Sequence, residues 1–233
     1  MIPLKDDTPR FSTPYITYFL IVANTLVFLF QRTLPERAQE LFVFQFGLTP
    51  SLVMAPWQPG SHAPLEVAFL PFLTSMFLHA GWLHLISNMW ALWIFGDNIE
   101  DYLGHFMYLI MYLMGGIVAA VTHTFFNWGS NIPSVGASGA IAAVMGAYFV
   151  LYPRARVLTL VPFLFVFFLW LPAWVVLGFW FIVQFLSGAA TSLSTVGHTG
   201  GGIAFWAHVG GFVFGLLIIR ILPGRTRRYR YGR

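Results

Sequence analysis

The sequence contains no cysteine, and only 9% of its 233 residues are charged. The absence of cysteine excludes disulfide bonds, thiol catalysis and zinc sites built from thiolates. The scarcity of charge excludes an ordinary soluble domain, because such a domain carries about a quarter of its residues as charged side chains. What remains is a chain whose surroundings are mostly apolar and whose chemistry must rest on side chains other than cysteine.

The residues that are present favour a lipid environment. Hydrophobic residues make up 58% and aromatic residues 18% of the chain, and the mean hydropathy is +0.75. The net charge of +4 does not indicate nucleic acid, because six of the 12 cationic residues lie from Arg220 to Arg233, at the end of the last apolar run and beyond it. A basic tail of this kind is typical of contact with anionic lipid headgroups. We therefore expect the lipid bilayer, and no nucleic acid, as a partner.

Six apolar segments are candidates for membrane crossings. They are residues 15–31, 82–95, 106–126, 138–152, 157–186 and 203–222. The fifth exceeds the roughly 20 residues that one crossing needs. It also contains Pro162 and Pro172, which interrupt helical hydrogen bonding. We expect a partly embedded or tilted lead-in over residues 157–171, followed by a crossing that begins near Pro172.

The distribution of cationic residues favours six crossings over seven. Six crossings place Lys5, Arg10, Arg154, Arg156 and the arginines of the C-terminal tail on the cytoplasmic side, as the positive-inside rule requires. Seven would move the basic tail outside. The first apolar run has no small-residue cleavage site of the kind that ends a signal peptide. We predict a multi-pass protein of a prokaryotic plasma (inner) membrane with both termini in the cytoplasm.

Polar side chains inside apolar segments are costly and therefore suggest a function. Ser138 opens the fourth segment, His208 lies in the sixth, and His84 and Asn88 share one face of the second. A rise of about 1.5 Å per residue places Ser138 roughly 24 Å above Arg154, the cytoplasmic anchor of its segment. The same count brings the two histidines to a similar depth. We expect all four polar side chains at one level of the bilayer.

The residues around the serine are small. Ser138 stands in the run Gly136-Ala137-Ser138-Gly139, where a loop becomes a helix. The unpaired N–H groups and the positive dipole end of a helix N-terminus are suited to stabilising an oxyanion. Gly136 and Gly139 leave room for a substrate chain to approach. A serine hydroxyl also needs a base, usually a neutral histidine, to become a nucleophile, and His208 is the candidate.

The fourth and sixth segments must approach closely before the serine and the histidine can bond. Gly211 and Gly215 form a face of small residues in the sixth segment, and Gly139 and Ala143 form a similar face in the fourth. Faces of this kind let membrane helices pack closely. We predict contact between the two helices along these residues.

Other interpretations of the polar residues stay open at this point. A serine among glycines is often a packing position, and a single membrane histidine often bonds between helices. A small transporter or channel could also use the cluster, although no acidic residue falls inside a segment core. His79 and His84 do not share a helix face, which disfavours a metal site. The sequence has neither a His-Glu-x-x-His motif nor a pair of intramembrane aspartates, so other intramembrane protease chemistries are disfavoured.

The ordered set of motifs resembles the rhomboid family of intramembrane serine proteases over about residues 13–222. The first similar segment is residues 78–89, which contains His79, His84 and Asn88, and the turn that follows it contains Gly96, Glu100 and Gly104. The other two similar segments are residues 136–139 and residues 207–215. The resemblance implies an all-α membrane protein built as a six-transmembrane-helix bundle. It implies Ser138 as nucleophile and His208 as general base. It also implies oxyanion stabilisation by His84, Asn88 and the Ser138 amide.

One departure from the family concerns the surroundings of the histidine. Some members carry an aromatic residue four positions after the serine, stacked on the histidine, whereas Ala142 stands there in this sequence. The segment before Pro172 is also unusually aromatic. These departures affect the positioning of His208 and leave the expected chemistry unchanged.

The resemblance also implies an activity. We expect a single integral membrane domain over residues 1–233, with a basic cytoplasmic tail at residues 223–233 after the rhomboid-like core. The expected function is an intramembrane serine endopeptidase that cleaves in or next to transmembrane helices of membrane protein substrates. It would use a Ser–His dyad with no carboxylate, no metal and no cofactor. The alternative in the family is an inactive relative that binds membrane clients. Nothing in the sequence indicates an oligomeric state.

Overall fold

A computed structural model describes residues 1–53, 55–58, 60–163, 165–193 and 204–224. Within these ranges the chain is mostly helical and has one three-stranded sheet. The helices are α1 (Tyr15–Thr33), α2 (Glu36–Phe46), α3 (Pro50–Val53), α4 (Leu65–Phe69), α5 (Pro71–Thr74), α6 (Trp82–Leu103), α7 (His105–Phe126), α8 (Ser138–Leu151), α9 (Ala173–Leu193) and α10 (Phe205–Ile218). The strands are β1 (Ile2–Asp6), β2 (Arg156–Phe163) and β3 (Phe165–Pro172).

The six longest apolar helices, α1 and α6–α10, overlap the six predicted segments, although α6 and α9 extend beyond the predicted ends at residues 95 and 186. Among the described helices, α1, α7 and α9 are long and apolar enough to cross a membrane alone. Helix α6 meets the same criterion together with the segment Leu65–Phe77, from which a bend of 77° separates it. Helices α8 and α10 have 14 residues each, a length of about 21 Å. The protein is therefore a multi-pass helical membrane protein, and the count of six crossings stays a prediction.

Helix α8 is the centre of the bundle. It packs against α6, α7, α9 and α10, and residues 139–148 are all buried. Most of these residues are alanine, glycine or valine, so neighbouring helices can approach α8 from every side. A helix that is apolar all round is expected to be buried in this way. Its first residue, Ser138, is half-buried, and its neighbours Ala137 and Gly139 are buried.

The predicted contact between α8 and α10 is confirmed. A Cβ atom on Gly211 would overlap the carbonyl oxygen of Gly139, and a Cβ atom on Gly215 would overlap that of Ala143. Because neither glycine has a side chain, the two backbones pack directly on each other. This close approach brings the N-terminal turns of α8 and α10 together.

The fold contains a β-sheet in addition to the predicted helices. Strands β2 and β3 form an antiparallel hairpin in which Arg156 pairs with Pro172, and β1 pairs with the other edge of β2. Within the segment 157–171, expected as a lead-in to a crossing, residues 157–163 and 165–171 therefore lie in strands. Valine, threonine and aromatic residues favour strands, while a continuous apolar run suits a buried helix equally well. The crossing predicted to begin near Pro172 does begin there, as α9 at Ala173.

The N-terminus of α1 is held by an acidic residue of α6. Glu100 is fully buried and accepts hydrogen bonds from the backbone N–H groups of Ile16 and Thr17, both at 2.8 Å. It also bonds the Thr17 hydroxyl at 2.7 Å and His105 Nδ1 at 2.6 Å. These N–H groups lack partners inside α1 because they lie in its first turn. Glu100 thus caps α1 and joins it to the α6–α7 turn, near which the sequence placed it.

Candidate active site

Two of the predicted side chains are within hydrogen-bonding distance. Ser138 Oγ lies 2.7 Å from His208 Nε2. Ser138 is the first residue of α8, and His208 lies in the first turn of α10 with 8% of its surface exposed. A hydroxyl this close to an imidazole nitrogen has the geometry of a nucleophile next to its base. Glycine contacts along α8 and α10 make this approach possible.

The second ring nitrogen of His208 also has a partner. His208 Nδ1 lies 2.7 Å from Gln184 Oε1 on α9. The two contacts fit one neutral tautomer, in which Nδ1–H donates to the amide oxygen and Nε2 accepts from the serine hydroxyl. The partners of the imidazole are therefore a hydroxyl and an amide, and neither is acidic. The indole of Trp180 packs near the imidazole, with ring centroids 5.6 Å apart.

Gln184 and Trp180 are not among the residues selected from the sequence, although a signal for them exists. Gln184 interrupts the apolar run of α9, which is the same criterion that selected Ser138 and His208. Trp180 lies one turn earlier on the same helix face. The family resemblance marked Ala142 as the place of a missing aromatic contact with the histidine. In the structure the imidazole has an aromatic neighbour from a different helix, Trp180 of α9.

His84 lies beside the backbone that leads into α8. A Cβ atom placed on Gly136 would lie 2.7 Å from His84 Nε2 and 3.6 Å from Ser138 Oγ, so both side chains adjoin Gly136. The backbone N–H of Ala80 donates to His84 Nδ1 at 3.4 Å, which leaves the proton on Nε2, the nitrogen next to Gly136. Gly136 itself has φ +129°, a conformation that favours glycine.

Asn88 lies one turn below His84 on α6 and is buried, with 6% of its surface exposed. Its Nδ2 group has no acceptor among the described residues. A buried amide donor without a partner is costly, so such a donor is available for an acceptor that arrives with a ligand. The structure places both predicted α6 residues on the helix that packs against α8.

The first turn of α8 supplies backbone donors. The first hydrogen bond of this helix runs from Ile141 N to Ala137 O. The N–H groups of Ser138, Gly139 and Ala140 therefore precede the repeating helical pattern, as they do in any first turn. These groups and the helix dipole favour negative charge near Ser138.

A small cavity of about 30 Å³ adjoins Ser138. Its lining includes Ser75, His123, Ser134 and Gly139. The volume and the polar lining suit about one water molecule. The sequence analysis did not select His123, which lies on α7 near its end and faces this cavity. Depth counting missed it because the histidine is close to the boundary of its segment.

Comparison with known proteins gives consistent results. A family model for the Rhomboid domain matches residues 67–225. The chain is similar to presenilin-associated rhomboid-like protein A, mitochondrial, of Danio rerio, with 28% identity over 64% of this chain and 37% of the relative. It is 29% identical to presenilin-associated rhomboid-like protein, mitochondrial, of Bos taurus, over 78% of this chain and 46% of the relative. It is 30% identical to rhomboid protein 1, mitochondrial, of Saccharomyces cerevisiae, over 64% and 40%. The chain thus spans less than half the length of these curated relatives.

Proposed function

Because the chain belongs to the rhomboid family, we propose that it is an intramembrane serine endopeptidase that cleaves membrane protein substrates in or next to their transmembrane helices. The observation that carries the proposal is the 2.7 Å contact between Ser138 Oγ and His208 Nε2. The contact is part-buried within a multi-pass helical bundle. Polar groups in such a bundle indicate a function, and the substrates within reach of a membrane-embedded site are membrane proteins.

The proposed reaction begins with attack of Ser138 Oγ on the carbonyl carbon of the scissile bond. His208 Nε2 takes the hydroxyl proton as the bond forms and later gives it to the leaving amine. The tetrahedral intermediate places a negative charge on the former carbonyl oxygen. The Ser138 N–H, His84 Nε2–H and Asn88 Nδ2–H are the proposed donors to this oxygen. Water, deprotonated by His208, then hydrolyses the acyl-serine and regenerates the hydroxyl.

The proposed catalytic unit has no carboxylate. A Ser-His-Asp triad uses an ionised Asp to orient the imidazole and stabilise its cationic form. Here the oxygen that accepts from Nδ1 belongs to a neutral amide. A neutral acceptor stabilises the imidazolium less than a carboxylate does, so we expect a slow enzyme. Space for the substrate backbone at Gly136 and Gly139 stays a proposal, since the place of a Cβ atom is taken by the His84 ring at Gly136 and by Ala119 at Gly139.

The compartment and the boundaries of the membrane domain stay proposals. The names of the similar proteins contain the word "mitochondrial", which does not favour the predicted prokaryotic plasma membrane. The family match covers residues 67–225. It begins inside the predicted core of about 13–222 and ends just beyond that core. The predicted cytoplasmic tail at residues 223–233 lies, after Gly224, outside the described residues.

Labelling with an active-site-directed fluorophosphonate tests the proposal. The purified protein in detergent or lipid should be labelled at Ser138, because an activated serine attacks the phosphorus centre. Ser138→Ala should remove the label, and His208→Ala should slow it strongly. Ser134→Ala, at a neighbouring serine of the cavity, is the matched control and should keep the label. Absence of label on a folded wild-type protein would favour an inactive client-binding relative or a transporter instead.

A further inference from the structure

We propose that Gln184 is the positioning residue of His208, which holds the imidazole in the tautomer and orientation that the base of Ser138 needs. The inference rests on the proposed function for its catalytic meaning. It rests on the 2.7 Å contact between Gln184 Oε1 and His208 Nδ1 for its geometry. Gln184 therefore has the place that a carboxylate has in a Ser-His-Asp triad.

The tautomer decides whether His208 can act. A neutral imidazole carries one proton, on Nδ1 or on Nε2. With the proton on Nε2, the ring would donate to Ser138 Oγ and could not remove the serine proton. The amide oxygen of Gln184 is an acceptor and so requires the proton on Nδ1. The lone pair of Nε2 is then free to accept from Ser138, which is the state a general base needs.

The placement of Gln184 in an apolar helix supports this role. Helix α9 is otherwise apolar from Ala173 to residue 183, and a polar amide in such a segment is costly unless it is bonded. Its oxygen is bonded to His208. Trp180, one turn away on α9, packs against the same imidazole at 5.6 Å between ring centroids. One helix thus supplies both the hydrogen-bond acceptor and the packing surface of the base.

The nucleophile and the base lie on α8 and α10, whereas the positioning residue lies on α9. Correct orientation of His208 therefore depends on where α9 stands relative to α10. Ring pairs hold these helices together, among them Phe181 and Phe212 with centroids 4.8 Å apart and Phe185 and Trp206 with centroids 6.0 Å apart. A displacement of α9 that separates these rings also removes the acceptor from Nδ1.

Substitution of Gln184 tests the inference by kinetics. Gln184→Leu removes the acceptor while keeping similar volume, and we expect kcat to fall about 10–100-fold with KM within about twofold. Gln184→Glu keeps an oxygen at the same reach and should retain kcat within about tenfold of the wild type. Ser187→Ala removes a polar group from the same helix and is the matched control, with kcat unchanged.

A spectroscopic measurement gives a readout that a merely structural role would not move. Protein labelled with ¹⁵N-histidine, compared with His208→Ala to assign the signal, reports which ring nitrogen carries the proton. We expect protonated Nδ1 in the wild type and in Gln184→Glu. In Gln184→Leu the proton should be found partly or wholly on Nε2. This measurement needs no substrate, so it stands even if the wild type proves inactive.

The possible outcomes separate the two proposals. If the wild type neither cleaves substrate nor reacts with the fluorophosphonate, the proteolytic function is rejected. If the His208 tautomer nevertheless differs between the wild type and Gln184→Leu, the positioning contact is retained. A Gln184→Leu protein with wild-type kcat and an unchanged tautomer overturns the inference. If Gln184→Leu fails to fold, Gln184→Glu decides the kinetic question. A folded Gln184→Glu protein that loses activity and carries the His208 proton on Nε2 would contradict the role of the oxygen.

Discussion

Single side chains on α6 carry the oxyanion part of the proposed chemistry. His84 adjoins Gly136 next to Ser138, and Asn88 has a buried donor without an acceptor among the described residues. One donor to an oxyanion is typically worth about 10²–10³ in rate. We therefore predict that His84→Ala and Asn88→Ala each lower kcat by about that factor in a peptide-cleavage assay. Ser87→Ala, an exposed position between them, should leave kcat unchanged, and equal activity in all three variants would exclude the assignment.

Glu100 is the acidic residue whose substitution is most easily misinterpreted, because a loss of folded protein lowers the measured activity just as a loss of catalysis does. It is fully buried and accepts from Ile16, Thr17 and His105. Hydrogen bonds to a charged acceptor contribute about 1.5–3 kcal/mol each, so Glu100→Gln should lower the thermal unfolding temperature clearly. Turnover per folded molecule should stay within about twofold, because the dyad needs no carboxylate. Glu40→Gln on the exposed face of α2 should change neither quantity.

A different result for Glu100 would contradict the dyad. If Glu100→Gln protein remains folded yet loses turnover as fully as Ser138→Ala, a carboxylate takes part in catalysis. Thermal unfolding and activity must therefore be measured on the same preparation. The same pair of measurements applies to the other seven acidic residues of the chain.

At the scale of helices, close packing of α8 and α10 is what joins the two halves of the dyad. Gly215→Ala would place a Cβ atom against the Ala143 carbonyl oxygen. Overpacking of this kind costs about 1–3 kcal/mol, and a shift of about 1 Å can cost about 100-fold in rate. We predict lower thermal stability and a kcat reduced by about 10–100-fold. Gly178→Ala on α9 is the matched control, because its Cβ would meet Phe149 at 3.7 Å, an ordinary contact.

The hairpin of β2 and β3 is the second element with a testable position. Its side chains at residues 166–170 are exposed and apolar. Strand β1, which pairs with β2, runs beside α6, where Trp90 Nε1 donates to the Pro3 carbonyl at 2.8 Å. Trp90 lies about 20 Å along α6 from its end at Leu103. The sheet therefore rises beside α6, and we expect the exposed side chains of β3 to contact lipid.

Site-directed spin labelling measures this position directly, since the chain has no native cysteine. A label at Phe168→Cys should be more accessible to oxygen than to a water-soluble nickel complex, as lipid contact requires. Ile182→Cys on the exposed apolar face of α9 is the lipid reference, and Arg154→Cys is the aqueous reference. A Phe168 label that behaves like the Arg154 label would place the hairpin in water.

Helices and strands differed in how far the sequence could predict them. Long apolar segments with a single interpretation, such as those of α1 and α7, were predicted almost to their ends. The run of residues 157–171 suited either a strand or a buried helix, and the pairing of β1 with β2 spans about 150 residues, which no local pattern reveals. For the site, depth counting selected Ser138 and His208. It missed Gln184, because α9 was interpreted only as an apolar crossing.

At the scale of the whole molecule, the fold brings the polar side chains of the proposed site together within an apolar chain. Ser138 opens the short helix α8 and forms a part-buried contact with His208, and a water-sized cavity adjoins it. Glu100 and Asp101 lie near the end of α6 that is opposite to His84. The six-crossing topology with both termini on one side stays a prediction, which rests on the positive-inside rule.

The central claim is that Ser138 is the nucleophile of a membrane-embedded protease. Its most direct test is cleavage of a helical membrane substrate by the purified full chain in liposomes, with wild type and Ser138→Ala compared at equal folded concentration. Alanine replaces serine without a change in packing, so the variant should insert and unfold like the wild type. The account predicts cleavage by the wild type and a loss of at least about 10³-fold in Ser138→Ala. Substantial residual turnover by folded Ser138→Ala protein would contradict it.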